Sequence, residues 1–203
     1  MPMFPLQSVL VPGAPLSLHV FEDRYRRLMQ DVLADESREF GVVLIERGSE
    51  VGGGDVRSRT GTVARIVNAV PTDDGRWGVI AVGTRRIDVA EWLPDAPYPV
   101  GNVIDRPDGE WSDSASGRLR EVEAVVRRAL AMKAELGEAA VPATVELDEV
   151  SPTRAWQLVA IAPVATLDHQ SLLRIDDPVQ RLDRLQQLVD EELSVLAQRM
   201  RGL

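Results

Sequence analysis

The chain has 203 residues, of which 44% are hydrophobic and 27% charged, and its 32 acidic residues outnumber its 23 basic ones to give a net charge of −9. These values are typical of a globular protein and lack the basic balance of a nucleic-acid binder. There is no cysteine and one lysine, Lys133. Disulfides, cysteine nucleophiles and cysteine-ligated zinc are therefore excluded, and any lysine-dependent catalysis would have to use this side chain.

The first predicted element after the N-terminal apolar segment is an amphipathic helix over 22–36. Its apolar residues recur at helical spacing, with arginines and acids on the other face. We expect this helix to cover one face or opening of the sheet that follows. The apolar residues are Tyr25, Leu28, Met29, Val32 and Leu33.

The rest of the first hundred residues is predicted to be rich in strands. The segments 40–45, 62–70 and 77–89 combine β-branched residues with short apolar runs or alternation, which favours strands over helices. An Asp-Gly pair within 71–75 supplies the turn of a hairpin between the last two segments. The glycine-rich segment 48–55 predicts a loop.

The second half of the chain is predicted to be helical, because its apolar residues recur at helical spacing. We expect a β-rich domain over 1–104, a turn-rich linker over 105–117 and a helical domain over 118–203. The pairs Ser151-Pro152 and Asp177-Pro178 predict helix starts, since each places a capping side chain before a proline at the first helical position.

Residues with catalytic or ligand-binding chemistry are few and scattered. The two histidines lie in no catalytic motif; we expect His19 to be structural and His169 to be a surface or capping residue. Neither a nucleophile elbow nor a Gly-Lys phosphate loop is present, and 52–54 is interpreted as a mobile turn. Lys133 is assigned to a solvated helix face, and two isolated histidines do not make a tetrahedral metal site.

Two charged segments stand out from this background. The string 22–27 packs opposite charges and an aromatic residue directly after an apolar strand, and Arg85-Arg86 precedes strand residues. An arginine that points inward there would need a buried acid, for which Glu22 is the candidate. We expect a structural ion pair, because an unpaired buried charge is costly.

Short motifs of the first hundred residues form a set: Phe4-Pro5-Leu6, Val11-Pro12-Gly13, Leu16-x-Leu18-His19-Val20-Phe21-Glu22-x-Arg24-Tyr25, Phe40-Gly41-Val42-Val43, Gly61-Thr62-Val63-Ala64-Arg65-Ile66 and Gly83-x-Arg85-Arg86. This set resembles the N-terminal domain of Lon protease. The resemblance continues less sharply through the helical half, so that it covers nearly the whole chain. The N-terminal motifs are specific in combination, whereas the helical matches alone are weak.

The resemblance implies an α+β fold, with a PUA-like β pseudo-barrel and its covering helix followed by a C-terminal helical bundle. It also implies a non-catalytic module that binds unfolded or tagged polypeptides, or another protein. A separate Lon protease is a further candidate partner. The ATPase and Ser–Lys peptidase modules are expected to be absent. We therefore expect no enzyme activity, no cofactor and no metal.

The two charged segments supply the candidate binding residues, and the motif residues are expected to be architectural. The binding candidates are Glu22, Arg24, Tyr25, Arg85 and Arg86. We expect Phe4, Leu6, Leu18 and Phe21 in the barrel interior, and a turn at Pro12-Gly13. The full set of structural motif residues is Phe4, Pro5, Leu6, Pro12, Gly13, His19, Phe21, Gly61 and Gly83.

Two alternatives remain open at this stage. PUA-like folds occur in RNA-modifying proteins, and a local basic patch could support RNA binding despite the acidic chain. A carboxylate-based enzyme with its site in a cleft between the two units is the other alternative. No segment approaches the roughly 20 apolar residues of a membrane helix, and 1–6 does not read as a secretory signal, so we expect a cytoplasmic location. The local basic patch of the RNA-binding alternative would consist of Arg57, Arg59, Arg65, Arg85 and Arg86.

Overall fold

The computed structural model describes residues 1–48, 56–138 and 140–201. The chain divides into two compact units, Met1–Pro107 and Asp108–Leu203. The first unit is built on a β-sheet and the second on helices. The expected α+β composition, with the β-rich part first, is confirmed.

The described part of the first unit contains six strands: β1 (Met3–Leu6), β2 (Pro15–Val20), β3 (Glu39–Arg47), β4 (Val56–Pro71), β5 (Trp77–Leu93) and β6 (Val100–Asp105). They form one sheet in the order β1-β3-β4-β5-β2, and β6 also pairs with β5. The β1–β3 pair is parallel and the other pairs are antiparallel. Strand β2 therefore lies at one end of the strand order.

Strand β5 has two successive partners. Its first part pairs with β2, between Trp77 and Val82, and its second part pairs with β6, from Ile87 onward. The strands predicted from alternation all lie within β3, β4 and β5, and the predicted hairpin turn contains Gly75 at a φ of 78°. Strand β6 was missed, because its apolar residues Val100, Val103 and Ile104 form neither a continuous run nor a strict alternation. The predicted loop at 48–55, with its glycines at 52–54, falls outside the described residues except for Gly48.

Part of the core of the first unit lies between the sheet and helix α1 (Asp23–Ala34). The predicted apolar stripe of α1 is buried except for Leu33, which is half-buried. Phe4 of β1 stacks on Tyr25 of α1 with ring centroids 4.1 Å apart, a favourable aromatic arrangement. The sheet contributes a further buried cluster of Met3, Val43, Val63, Ile87 and Val89.

The second unit consists of helices α2 (Asp113–Glu135), α3 (Ser151–Ile161), α4 (Thr166–Leu173) and α5 (Pro178–Arg201). The two long helices, α2 and α5, pack against each other. The apolar residues that recur at helical spacing in these two helices are buried, apart from Met200, which is 38% exposed. They are Leu119, Val122, Val126, Ala129 and Leu130 in α2, and Leu182, Leu185, Val189, Leu193 and Leu196 in α5. Among the described residues, no helix combines the length and the apolar content that crossing a membrane requires.

Helix α2 begins earlier than the sequence predicts. The expected linker over 105–117 includes the end of β6 and the first turn of α2, which starts at Asp113. The reason is a cap that the turn-rich composition conceals: the Ser112 hydroxyl accepts a hydrogen bond from the Ala115 N–H at 3.2 Å. Serine at this position satisfies one of the free N–H groups at a helix start.

The other two predicted caps have different outcomes. Asp177 caps α5, because its carboxylate accepts a hydrogen bond from the Gln180 N–H at 2.8 Å. Ser151 does not cap α3: the cap residue is Val150, with no side-chain bond, and Ser151 is already helical. Pro152 still lies in the first turn of α3. A backbone N–H in that turn has no acceptor within the helix, so the lack of an N–H in proline costs no hydrogen bond there.

Candidate binding groove along strand β2

A groove of about 170 Å³ lies in the first unit, next to strand β2 and the start of α1. Its apolar part comes from Leu6 of β1, Leu18 of β2, Phe21 and Tyr25. Glu22 lies at its rim. The complete lining is Phe4, Leu6, Ser17, Leu18, His19, Val20, Phe21, Glu22 and Tyr25.

The groove follows the edge of β2. Within the strand, Leu16 and Leu18 are half-buried and Val20 is buried, whereas Ser17 and His19 are exposed. Side chains alternate between the two faces of a strand, so a cavity that touches consecutive residues lies along its edge and not over one face. The strand order agrees, since β2 is terminal.

Phe21 corrects the sequence prediction. We expected this side chain in the barrel interior, but it is 51% exposed. The reason is that β2 ends at Val20 and α1 begins at Asp23, so Phe21 falls in the connection and follows neither pattern. Its ring packs edge-on against His19, with centroids 6.5 Å apart. Leu18 is also only half-buried, which leaves both side chains available at the groove.

Three predicted binding residues meet at the rim of the groove. The Arg24 Nε donates to the Glu22 carboxylate at 3.1 Å. The Arg24 guanidinium also lies over the ring of Tyr25, 4.5 Å from its centroid, a cation–π contact. The charge of Glu22 is therefore compensated locally, and Tyr25 is held in place between Arg24 and Phe4.

The predicted ion pair between Glu22 and Arg85 or Arg86 is wrong. Arg85 binds Glu39 at 2.7 Å and Asp105 at 3.0 Å. Arg86 is 2% exposed and donates to the carbonyl oxygen of Pro107 at 2.8 Å. Both arginines belong to β5 and bond within the sheet region, so they do not join the groove.

Glu39 is the acid that the sequence analysis missed. It binds Arg65 at 2.8 Å as well as Arg85. Burial raises the pKa of Glu39, but the hydrogen bonds and charges of Arg85 and Arg65 outweigh this and leave the pKa below its usual range. The strand register would have identified it, because Glu39 faces Arg65 across β3 and β4, and opposite charges at such positions stabilise a sheet.

The remaining motif residues lie in the framework around the groove. Phe4 and Leu6 are buried in β1 together with Pro5, and Gly61 pairs with Val43 in the sheet.

Pro12 and Gly13 form a turn before β2. Gly13 has a φ of 73°, which favours glycine, and its N–H donates to the Gly83 carbonyl at 2.8 Å. A side chain at Gly83 would collide with the Val11 backbone, so Gly83 lets this turn approach β5.

The arginines of the proposed RNA-binding patch are largely neutralised. Arg57 binds Asp95 at 2.8 Å and lies over the Trp92 ring. Arg65 and Arg85 share Glu39, and Arg86 is buried. Arg59 alone of the five is exposed with no ion pair within the described residues. These contacts leave little of the free positive charge that phosphate binding needs.

Several charged groups of the helical unit form ion pairs with one another. Glu123 binds both Arg127 and Arg154 at 2.8 Å. The hydrogen bond from Arg154 lowers the pKa of Glu123, with a smaller contribution from Arg127, against the opposing effect of burial. An acid with a lowered pKa stays ionised and makes a poor proton donor near neutral pH. Within the described ranges, no cluster of residues could hold a metal ion.

Two predictions for the helical unit need correction. Lys133 was assigned to a solvated face, but it is half-buried and reaches Glu138 at 3.2 Å and Glu192 at 3.5 Å. His169 is half-buried, not a surface residue: its Nε2 lies 3.0 Å from the Val159 carbonyl in the last turn of α3. Burial lowers the pKa of His169, so the neutral ring fastens the end of α3 to α4.

With the geometry established, comparison with known proteins decides the family. Residues 1–191 match the ATP-dependent protease La (LON) substrate-binding domain. The chain belongs to this family. The fold and family expected from the N-terminal motifs are confirmed.

Relatives and solved structures agree with this assignment. Lon protease 2 of Herpetosiphon aurantiacus is 24% identical over 97% of this chain and 24% of its own length. Lon protease 2 of Myxococcus xanthus is 32% identical over 62% of this chain and 15% of its own length. The chain thus spans about a quarter or less of these curated relatives.

Two solved structures have the same fold. A Lon N-terminal domain protein from Xanthomonas campestris has a TM-score of 0.65 and 32% identity, covering 91% of this chain and 95% of its own. The N-terminal domain of a Mycobacterium avium complex Lon protease has a TM-score of 0.69, covering 94% and 97% of the two chains. Its identity is 16%, so this second likeness concerns the fold alone.

Proposed function

We propose that this Lon-family domain is a non-catalytic module that binds unfolded polypeptide segments in the groove along β2. The observation that carries the proposal is the pair of accessible apolar side chains, Leu18 and Phe21, at a groove beside a sheet edge. The family supports it, since the matching domain is described as substrate-binding. Apolar side chains are what an unfolded chain exposes and a folded one buries.

The groove suits ligands of varied sequence. Its apolar lining favours any apolar side chain through the removal of surface from water, about 25 cal/mol per Å². The rim charge on Glu22 is compensated by Arg24, so the groove selects neither strongly acidic nor strongly basic segments. In this proposal Phe21 and Leu18 contact the ligand, while Arg24 and Glu22 position Tyr25.

The proposed activity involves binding and release, with no covalent step. A segment that is held here would remain available for a protease, and a separate Lon protease is the partner that the family suggests. Hydrolysis of the segment is assigned to that partner. The groove itself contributes apolar contacts and an ordered rim.

The experiment is a fluorescence-anisotropy titration of labelled β-casein, a natively unfolded polypeptide, with the protein and two variants. Phe21→Ser removes the exposed ring from the groove. Ile104→Ser is the matched control, because Ile104 is a 63% exposed apolar residue of β6 that does not line the groove. Loss of a buried phenylalanine contact is worth about 1.5–3 kcal/mol, or roughly tenfold or more in affinity.

We expect Phe21→Ser to weaken casein binding by at least about tenfold and Ile104→Ser by less than about twofold. Equal losses in the two variants would show that general surface stickiness, and not the groove, binds casein. The absence of saturable binding by the wild-type protein would contradict the proposed function itself.

A further inference from the structure

Strand β2 is an edge strand without the usual protection. It is terminal in the strand order, and its sequence from Pro15 to Val20 contains no acidic residue, lysine or arginine. Exposed edges normally carry charges, bulges or covering loops that prevent pairing with another chain. Proline also protects an edge, and Pro15, the first residue of β2, is the one such residue in this strand.

The strand register shows which backbone groups face outward. The Gly83 N–H donates to the Ala14 carbonyl, so these two residues form a hydrogen-bonded pair. Such pairs alternate along an antiparallel ladder. In the observed register, Leu16, Leu18 and Val20 therefore direct their N–H and C=O groups toward β5.

The intervening residues, Ser17 and His19, direct their N–H and C=O groups away from β5. Apart from the ladder with β5, neither backbone makes a hydrogen bond to another residue within residues 1–48, 56–138 and 140–201. Both residues line the groove. The groove thus offers, next to its apolar lining, a row of backbone donors and acceptors at the spacing of a β-strand.

We infer that the groove binds its polypeptide in extended form, as an additional strand on the outer edge of β2. This inference rests on the proposed function and specifies how the segment binds. Only an extended backbone presents complementary groups to Ser17 and His19 at once, since a helix uses its own groups internally.

The lining of the groove defines the chemistry of the segment. Alternate side chains of an added strand point to one face, and that face meets Leu6, Leu18 and Phe21. Because Glu22 and Arg24 compensate each other, the groove provides no free counter-charge. The ligand is therefore an uncharged extended segment with apolar residues at every second position.

Proline substitutions test the inference in the protein. Proline lacks the N–H and is tolerated in edge strands where the N–H points outward. Ser17→Pro and His19→Pro should therefore keep the fold but weaken casein binding by about tenfold or more, through the lost donor and the obstructed edge. Ser17→Ala and His19→Ala are the matched controls, because they change the side chains and keep the N–H groups.

Modified peptides test the same point without changing the protein. The probe is a fluorescein-labelled peptide of about ten residues that alternates valine with threonine, about the length of a long strand. A second peptide carries N-methyl groups on neighbouring central residues, which blocks both of its edges. We expect the methylated peptide to bind about tenfold more weakly or not at all.

The outcomes separate this inference from the proposed function. If Phe21→Ser loses casein binding while folded Ser17→Pro and His19→Pro bind like the wild type, the groove binds polypeptides by side chains alone and the added strand is refuted. Equal binding of the plain and methylated peptides refutes it as well. Unfolding of both proline variants would contradict the assigned edge orientation, and failure of the wild type to bind casein would refute the proposed function.

Discussion

The groove along β2 and a second groove, in the helical unit, differ in what they offer a ligand. The helical groove has a volume of about 260 Å³ and lies between α4 and α5. Its apolar lining is joined by three acids, Asp168, Glu191 and Glu192. The β2 groove has one rim carboxylate, which Arg24 compensates. Both grooves are partly apolar, so the contrast lies in their polar groups.

The difference follows from secondary structure. Helices satisfy most of their backbone groups internally, so the groove between α4 and α5 recognises a ligand mainly through side chains, and its acids favour a basic one. The edge of a strand exposes backbone groups that pair with any extended chain. A domain that binds many unfolded sequences is therefore expected to use its sheet edge.

The largest expected effect is a loss of stability of the helical unit when its buried arginine, Arg181, loses its acidic partner. Arg181 is 1% exposed, binds Asp108 at 3.0 Å and lies 3.7 Å from the centroid of the Trp156 ring. Asp108→Ala removes the carboxylate from this buried cation, which typically costs about 3–5 kcal/mol. The measurement is urea unfolding followed by the helical circular-dichroism signal.

Asp113→Ala is the control for this loss, because Asp113 is also an aspartate near the start of the helical unit, in the first turn of α2, but its side chain is exposed. We expect it to change the unfolding free energy by less than about 1 kcal/mol. If Asp108→Ala were equally mild, the ion pair of the buried Arg181 with Asp108 would not stabilise the helical unit.

A second prediction compares the two grooves directly. Leu18→Asp places a charge in the β2 groove and should weaken casein binding by about tenfold or more, because a carboxylate must be desolvated there. Glu191→Arg reverses a charge in the helical groove and should change the affinity by less than about twofold. Anisotropy titrations of the two variants provide the comparison.

The reverse ranking would place polypeptide binding in the helical groove. Circular dichroism of Leu18→Asp must match the wild type for the comparison to hold. Leu18→Asn is the neutral companion variant, and an intermediate loss is expected for it, because an amide costs less to desolvate than a carboxylate.

A third prediction concerns pH and the helical unit. Burial lowers the pKa of His169 from its usual value of 6.5, so the unfolded chain takes up a proton before the folded one as pH falls. The contribution of the neutral His169 ring to the free energy of unfolding is therefore fully present above about pH 6.5, and it is lost as the pH falls below this value. The urea midpoint should fall between about pH 7 and pH 5 in the wild type.

His169→Gln should flatten this pH dependence, whereas His19→Gln, which removes the other histidine from an exposed strand position, should retain it. The ion-paired Glu123 also has a lowered pKa, but its contribution is lost only below its usual value of 4.5. An unchanged slope in His169→Gln would contradict the assigned role of the ring.

The smallest expected effect is that of salt on binding. Salt screens free surface charges, and the β2 groove has a compensated rim. Casein affinity should therefore change by less than about twofold between about 0.05 M and 0.5 M sodium chloride. A steep loss of affinity with salt would indicate that the acids of the helical groove, and not the edge of β2, dominate binding.

The sequence predicted the elements with strong periodicity but not the pairings between distant ones. The strands within β3, β4 and β5 and the stripes of α1, α2 and α5 follow from local alternation or helical spacing. The partner of Arg85 does not, because Glu39 reaches it only after the strands have paired.

The groove was predicted only in part. Glu22, Arg24 and Tyr25 were identified from their motif and do lie together. Phe21 was misplaced, because a residue in a short strand-to-helix connection obeys neither periodicity. The open edge of β2 could not be inferred from the sequence. A strand is an edge strand when it has a neighbouring strand on one side only, and this depends on the strand order of the folded sheet.

The most direct test of the central claim is amide hydrogen exchange at single residues of β2, measured by NMR with and without saturating β-casein. In the free protein, the Ser17 and His19 amides should exchange rapidly, and the Leu18 amide, bonded toward β5, should be protected. Casein should slow exchange at Ser17 and His19 by about tenfold or more and leave Leu18 nearly unchanged. Bound casein that left the Ser17 and His19 amides exchanging at their free rates would contradict the account.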